Sequence, residues 1–167
     1  MNDRKCRWGI LGSAGIAQKN WQALALAENA ELVAVASRDK ARANEFIERC
    51  STQVPHSRLP EAVGGYEELL ERSDVDAIYL PLPTGLRTQW ALKVAQAGKH
   101  LLCEKPCGTS LEEVERIVDA CKQAGVQFMD GVMFMHSTRL AKVREVLNDD
   151  STLGDLKRIA TQFSFRA

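Results

Sequence analysis

No apolar run in this 167-residue chain approaches the ~20 residues a bilayer-crossing helix requires, so no membrane span is expected. Neither sign of charge is in excess. The 22 basic residues cancel the 22 acidic ones, and nothing advertises nucleic acid or a membrane surface as a partner. The five cysteines, at positions 6, 50, 103, 107 and 121, are odd in number and contain no C-x-x-C pair. Cys103 and Cys107 bracket a segment that matters below, but no second cluster completes a zinc site. Free thiols in a reducing cytoplasm are expected. The opening Met1-Asn2-Asp3-Arg4-Lys5 leads into a strand without the apolar core of a signal peptide. Internal repeats and low-complexity tracts are also missing. The length suits one domain and the beginning of a second, enough to bury a core without staples.

What is present is an alternation of short apolar runs with helical periodicity. Arg7-Trp8-Gly9-Ile10-Leu11 reads as a strand leading into Gly12-Ser13-Ala14-Gly15-Ile16-Ala17, a glycine-containing turn and the first turn of a helix. Ala17, Trp21, Leu24 and Ala25 recur at helical spacing, and Asn29 can end that helix. Leu32 to Ala36 is a continuous apolar run, suited to a parallel strand covered on both faces. Asp39 is an N-cap candidate for a helix with Ala43, Phe46, Ile47 and Cys50 on one face. Residues 51–65, with Pro55, Pro60 and Gly64-Gly65, read as a loop holding at most a very short strand at Ala62-Val63. His56 within it has no partner pattern and is read as solvent-exposed.

The alternation then resumes. Tyr66 to Glu71 reads as a short helix and Ala77 to Leu80 as a buried strand, stopped by Pro81-Leu82-Pro83-Thr84. The next helix is expected to turn Leu86, Trp90, Val94 and Ala95 inward and to stop at Gly98. Leu101 to Cys103 is a strand. Ser110 and Glu113 form a capping box for a helix closed by Gly125, and Val126 to Met129 is one more strand. This pattern specifies an α/β fold, a Rossmann-type doubly wound parallel sheet over residues 1–130. From residue 131 to 167 the character changes. Leu140, Val143 and Leu147 mark an amphipathic helix, Asn148 to Ser151 a polar break. From Leu156 onward the period is two, with Ile159, Thr161, Phe163 and Phe165 on one side, as in a half-buried antiparallel strand. This helix and strand read as the start of a truncated α+β domain, most of which would lie past residue 167.

In open parallel sheets a ligand lies beyond the carboxyl ends of the strands. The residues expected there are Gly12 to Gly15, Ser37-Arg38, Pro81 to Thr84, Glu104-Lys105-Pro106 and Asp130 onward. The turn at 12–17 supplies small residues and helix N-terminal N–H groups, which suit a pyrophosphate. Its glycine spacing departs from G-x-G-x-x-G, reading Gly12-x-Ala14-x-x-Ala17. Ser37-Arg38 stands where an NAD-preferring site would carry an acidic residue on the ribose. A hydroxyl and a guanidinium instead suit a 2′-phosphate, so NADP is favoured over NAD. Lys105, at a strand end, partly desolvated and beside a carboxylate, could position a substrate oxygen.

Trp8-Gly9-Ile10-Leu11-Gly12, Val35-Ala36-Ser37-Arg38-Asp39, Pro81-Leu82-Pro83-Thr84, Leu102-Cys103-Glu104-Lys105-Pro106 and Gly154-Asp155-Leu156 occur in this order along the chain. Together they resemble the glucose–fructose oxidoreductase/inositol dehydrogenase/rhizopine catabolism (Gfo/Idh/MocA) family of NAD(P)-dependent oxidoreductases. The likeness is greatest to the branch of dimeric dihydrodiol dehydrogenases, NADP-dependent xylose dehydrogenases and their plant homologues. The resemblance implies that Gly12, Ser13, Ala14, Gly15 and Ile16 hold the pyrophosphate, and Ser37 and Arg38 the adenosine phosphate. Leu82, Pro83 and Thr84 would line the ribose and nicotinamide, and Glu104 would contact the cofactor ribose. Lys105 would be the catalytic lysine touching the reacting oxygen, with Pro106 after a cis peptide. The parent enzyme would move a hydride between NADP(H) and a sugar or diol hydroxyl carbon, as a homodimer in the cytoplasm. Where the family often has a histidine, this chain has Arg87, to which the resemblance assigns no role. The family's second acid/base group, a His or an Asp/His pair, would lie past residue 167, and His136 is expected in a structural or substrate-contacting role. A second reading is a non-catalytic nucleotide- or partner-binding module, its last strand paired to another polypeptide. A third is a Rossmann-like domain without its ligand.

Overall fold

In the computed structural model the described residues are 4–149, 151, 154–162 and 164. The chain divides into two compact units, Met1–Gly131 and Val132–Ala167. In the first, strands β1 (Cys6–Leu11), β2 (Ala30–Ser37), β3 (Glu61–Gly64), β4 (Ala77–Leu80), β5 (His100–Cys103) and β6 (Phe128–Asp130) alternate with helices. The helices are α1 (Ala17–Leu26), α2 (Lys40–Ser51), α3 (Tyr66–Glu71), α4 (Thr84–Gln96) and α5 (Leu111–Gln123). The sheet order is β3-β2-β1-β4-β5-β6, and every pairing is parallel. The order reverses direction at β1, so the crevice between β1 and β4 opens at the carboxyl edge of the sheet.

Period two along each strand distributes the core between the two faces. Ile10, Val35 and Tyr79 point to one side and pack with Ala17 and Trp21 of α1 and Ala43, Phe46 and Ile47 of α2. Leu11, Ala36, Ile78 and Leu80 point to the other, against Leu69 of α3, Trp90 and Val94 of α4 and Ile117 of α5. Each large aliphatic or aromatic side chain buried this way contributes about 1.5–3 kcal/mol. At the amino edge of the sheet, Asp76 accepts bonds from the backbone N–H and Nε of Arg7, both at 2.9 Å, and from Arg4 at 2.8 Å. The Arg7 bond holds the Asp76 carboxyl well below the usual range.

The local signals act as their chemistry predicts, with four corrections. Asp39 caps α2 by accepting from the Arg42 N–H at 2.9 Å, and Gly98 and Gly125 take positive φ just past α4 and α5. In the capping box, Ser110 Oγ accepts from the Glu113 N–H at 3.3 Å, but the Glu113 carboxylate turns to the N–H and hydroxyl of Thr109. Leu86, expected inside α4, is exposed at 44%, and Arg87 occupies the inward position at 8%. His56 is not a free surface residue. Its Nε2 meets the Trp21 carbonyl at 3.1 Å and its ring stands edge-on to Trp21, where burial lowers its pKa. The fourth correction lies in the second unit. There α6 (Arg139–Leu147) forms as expected after a 3-10 turn at Met133–His136. Residues 156–162 and 164, read as a strand, form none and are exposed. A period-two pattern becomes a strand only beside a hydrogen-bonding neighbour, and no described strand pairs with this segment. Phe163 and Phe165 lie outside the described residues.

Candidate nucleotide site

The carboxyl ends of β1 and β2 carry the first cluster. Gly12 has φ +118°, a conformation L side chains rarely adopt, and a Cβ there would stand 2.7 Å from Leu82 Cδ2. The turn therefore lies directly against the loop after β4, an approach that a residue without a Cβ makes without displacing Leu82. Gly15, by contrast, has open space around it, so chain packing does not require its missing side chain. The first hydrogen bonds of α1 run from Ala17, Gln18 and Lys19 back to Ala14, Gly15 and Ile16. The N–H groups of residues 13 to 16 thus find no backbone acceptor among the described residues and remain available to an anion. Ser13 Oγ and Ser37 Oγ lie 3.0 Å apart, joining the turn to the end of β2. Arg38 is exposed just beyond, and the next arginine along, Arg42, pairs with Asp39 at 3.4 Å. A cleft of about 450 Å³ opens there, lined by Ser13, Asp39, Arg42 and Phe46 among others. Nothing in the sequence pattern singles out Arg42 beyond its being a second arginine one turn into α2.

The second cluster stands at the ends of β4 and β5. Leu82 is buried and Pro83 exposed, and Thr84 opens α4. Glu104 is 8% exposed; Oε1 accepts from the Tyr79 hydroxyl at 2.8 Å and Oε2 from the Lys105 N–H at 3.2 Å. Burial, reinforced by the Glu104 bond, pushes the Tyr79 pKa up, so the phenol stays a donor. Lys105 itself is exposed, and it is its peptide N–H that meets Glu104. The partial desolvation expected at this strand end is absent, because the side chain stands beyond the last ladder bond. The Lys105–Pro106 peptide is cis. Arg87, buried in α4, donates from Nε to the Leu82 carbonyl at 2.6 Å and from Nη1 to the Pro106 carbonyl at 2.5 Å and Thr84 Oγ1 at 3.3 Å. Nothing in the sequence marks Tyr79, a tyrosine in an apolar strand, and Arg87, standing where the family often has a histidine, has no readable role until its partners are known.

Cys103 and Cys107 flank this loop, both buried. A bond to Cys107, with burial added, pushes the Cys103 thiol up, which keeps it protonated. Among the described residues no group of His, Cys, Asp and Glu is placed to hold a metal ion. No helix among them is long and apolar enough to cross a membrane. His136 is exposed in the 3-10 turn of the second unit.

Two clusters therefore share the carboxyl edge, one rich in free N–H groups, hydroxyls and guanidinium, the other holding Glu104 and Lys105. Residues 6–132 match the model of an oxidoreductase family with an NAD-binding Rossmann fold, GFO_IDH_MocA. The chain belongs to the Gfo/Idh/MocA family. Among its relatives is D-xylose 1-dehydrogenase (NADP(+)) 2 of Haloferax volcanii, 37% identical over 95% of this chain and 46% of that protein. Trans-1,2-dihydrobenzene-1,2-diol dehydrogenase of Mus musculus is 33% identical over 95% of this chain and 46% of the enzyme. The crystal structure of KijD10, a 3-ketoreductase from Actinomadura kijaniata in complex with NADP and TDP-benzene, is similar at a TM-score of 0.78. It is 37% identical, covering 87% of this chain and 42% of that one. This chain spans a little under half the length of these family members.

Proposed function

We propose that this chain binds NADP(H) along the carboxyl edge of its sheet and forms the cofactor-binding part of a sugar or diol oxidoreductase. The observation that carries the reading is the end of β2. Ser37, tied to Ser13 of the turn, is followed by Arg38 where an NAD-preferring site would carry a carboxylate. A guanidinium and a hydroxyl attract a 2′-phosphate, whereas a carboxylate would repel it. The residues fit the cofactor in a second way, since the turn at Gly12 has little room for a Cβ while the N–H groups of residues 13 to 16 have no backbone acceptor among the described residues. When bound, the nicotinamide supplies a hydride donor or acceptor.

In this reading residues 12 to 16 hold the pyrophosphate, and Ser37 and Arg38 the adenosine phosphate. Leu82, Pro83, Thr84 and Glu104 line the ribose and nicotinamide. Lys105, exposed at the end of β5, orients the reacting oxygen of a sugar or diol by charge and hydrogen bonding. Two relatives are named for D-xylose and for dihydrobenzenediol, which supports a substrate among small polyhydroxylated or hydroxylated rings. A homodimer and a further acid/base group belong to the same proposal for the whole enzyme. Isothermal titration tests the cofactor assignment. NADPH should bind more tightly than NADH, and Arg38→Ala should remove the difference; equal affinities for the unaltered chain refute it. A second reading is nucleotide binding without turnover. NADPH consumption with a panel of keto-sugars separates the two.

A further inference from the structure

Helix α4 turns an arginine inward and a leucine outward. Leu86 is 44% exposed and its neighbour Arg87 only 8%, the reverse of what apolar burial favours. All three hydrogen-bond partners of Arg87 are uncharged oxygens, so its burial lacks the compensation a carboxylate would give. Their location accounts for the arrangement. Leu82 belongs to the segment between β4 and α4 and Thr84 is the first residue of α4, while Pro106 is one residue past Lys105 in the segment after β5. One planar guanidinium thus bridges two separate loops, which an ammonium, as a single point donor, cannot do with the same geometry.

We infer that Arg87 is a positioning residue, which clamps the Leu82–Thr84 segment to Lys105–Pro106 and so preforms the wall that receives the nicotinamide half of the cofactor. The inference rests on the NADP(H) reading above. It separates the two halves of the cofactor: the adenosine half meets Ser13, Ser37 and Arg38, none of which Arg87 touches.

The test titrates the 167-residue chain and its Arg87→Met and Arg87→Lys variants with NADPH and with adenosine 2′,5′-bisphosphate, the nicotinamide-free half. Nicotinamide fluorescence is followed in the NADPH titrations. Losing the three guanidinium bonds should weaken NADPH binding by about tenfold in Arg87→Met and reduce the fluorescence gain on binding, with the bisphosphate within about twofold. Arg87→Lys should fall between, because it keeps the charge and loses the fork. Unchanged NADPH affinity in both variants overturns the clamp while leaving NADP(H) binding intact. Parallel loss of both ligands also overturns it, since a general structural defect would do the same. Should Arg87→Met fail to fold, Arg87→Lys decides by the same criterion. If the unaltered chain binds neither ligand, the NADP(H) reading fails first and the clamp with it.

Discussion

Gly12→Ala perturbs the junction on which both halves of the site depend, and its cost can be worked from two independent terms. At φ +118° an L residue sits in a sparsely populated region, which costs about 1–3 kcal/mol. The new Cβ also meets Leu82 Cδ2 at 2.7 Å, so the leucine must leave its place, and overpacking of this kind costs about 1–3 kcal/mol. The neighbour is the far end of a flexible side chain rather than backbone, which puts the steric part at the lower end. The combined expectation is a loss of about 2–5 kcal/mol, a large share of the stability of a domain this size. Urea unfolding followed by tryptophan fluorescence measures it, with the m-value checked for constancy. Repeating Gly12→Ala in the Leu82→Ala background isolates the steric part, since the clashing methyl is gone and only the backbone term of about 1–3 kcal/mol should remain. A full penalty that persists in that background refutes the clash. A loss below about 0.5 kcal/mol in the single variant refutes both terms, since it is no more than an ordinary surface change costs.

Two further outcomes follow from polar side chains with defined partners. Tyr79→Phe keeps the ring but removes the donor to Glu104, leaving a buried carboxylate oxygen short of a partner. The expected loss is about 1–3 kcal/mol in urea unfolding, and a neutral result would mean that water reaches Glu104. Asp76, whose folded pKa is depressed by Arg7, contributes stability that is fully present above the unfolded carboxylate pKa of about 4. That contribution is lost as pH falls toward the lower folded value, because the unfolded chain then binds more protons. Asp76→Asn should therefore flatten the stability profile below about pH 4, read from thermal unfolding across pH, and an unaltered slope would rule out the linkage.

The alternation of elements was legible because both periodicities are carried by local composition. Ala77-Ile78-Tyr79-Leu80, a short apolar run stopped by proline, suits a strand covered on both faces, and Ala43, Phe46, Ile47 and Cys50 mark one face of a helix. Caps were legible for the same reason, since Asp39 bonds to an N–H three residues away. Where the reading failed, the deciding partner lay far along the chain. His56 needed Trp21, 35 residues earlier, and Arg87 needed Pro106, 19 residues later. The assignment of Leu86 to the interior failed by one step of the helix. Pro83 sets where α4 begins and hence its rotation, and the carbonyls of two loops reward a guanidinium at the inward position.

The sequence by itself determined the parallel α/β architecture and the family, because hydrophobic period, strand-end motifs and their order are properties of the chain read in one dimension. It also placed Gly12, Ser37, Arg38, Glu104 and Lys105 at strand ends. Only the tertiary structure decided which of these groups already have partners. Packing brings β4 and β5 side by side, and that adjacency gives Glu104 its hydrogen bond from Tyr79 and brings Arg87 to both loops. Lys105, one residue further on, is left with its ammonium in solvent. Hydrogen bonds and burial depend on distances between segments remote in sequence, and those distances exist only once the sheet has formed.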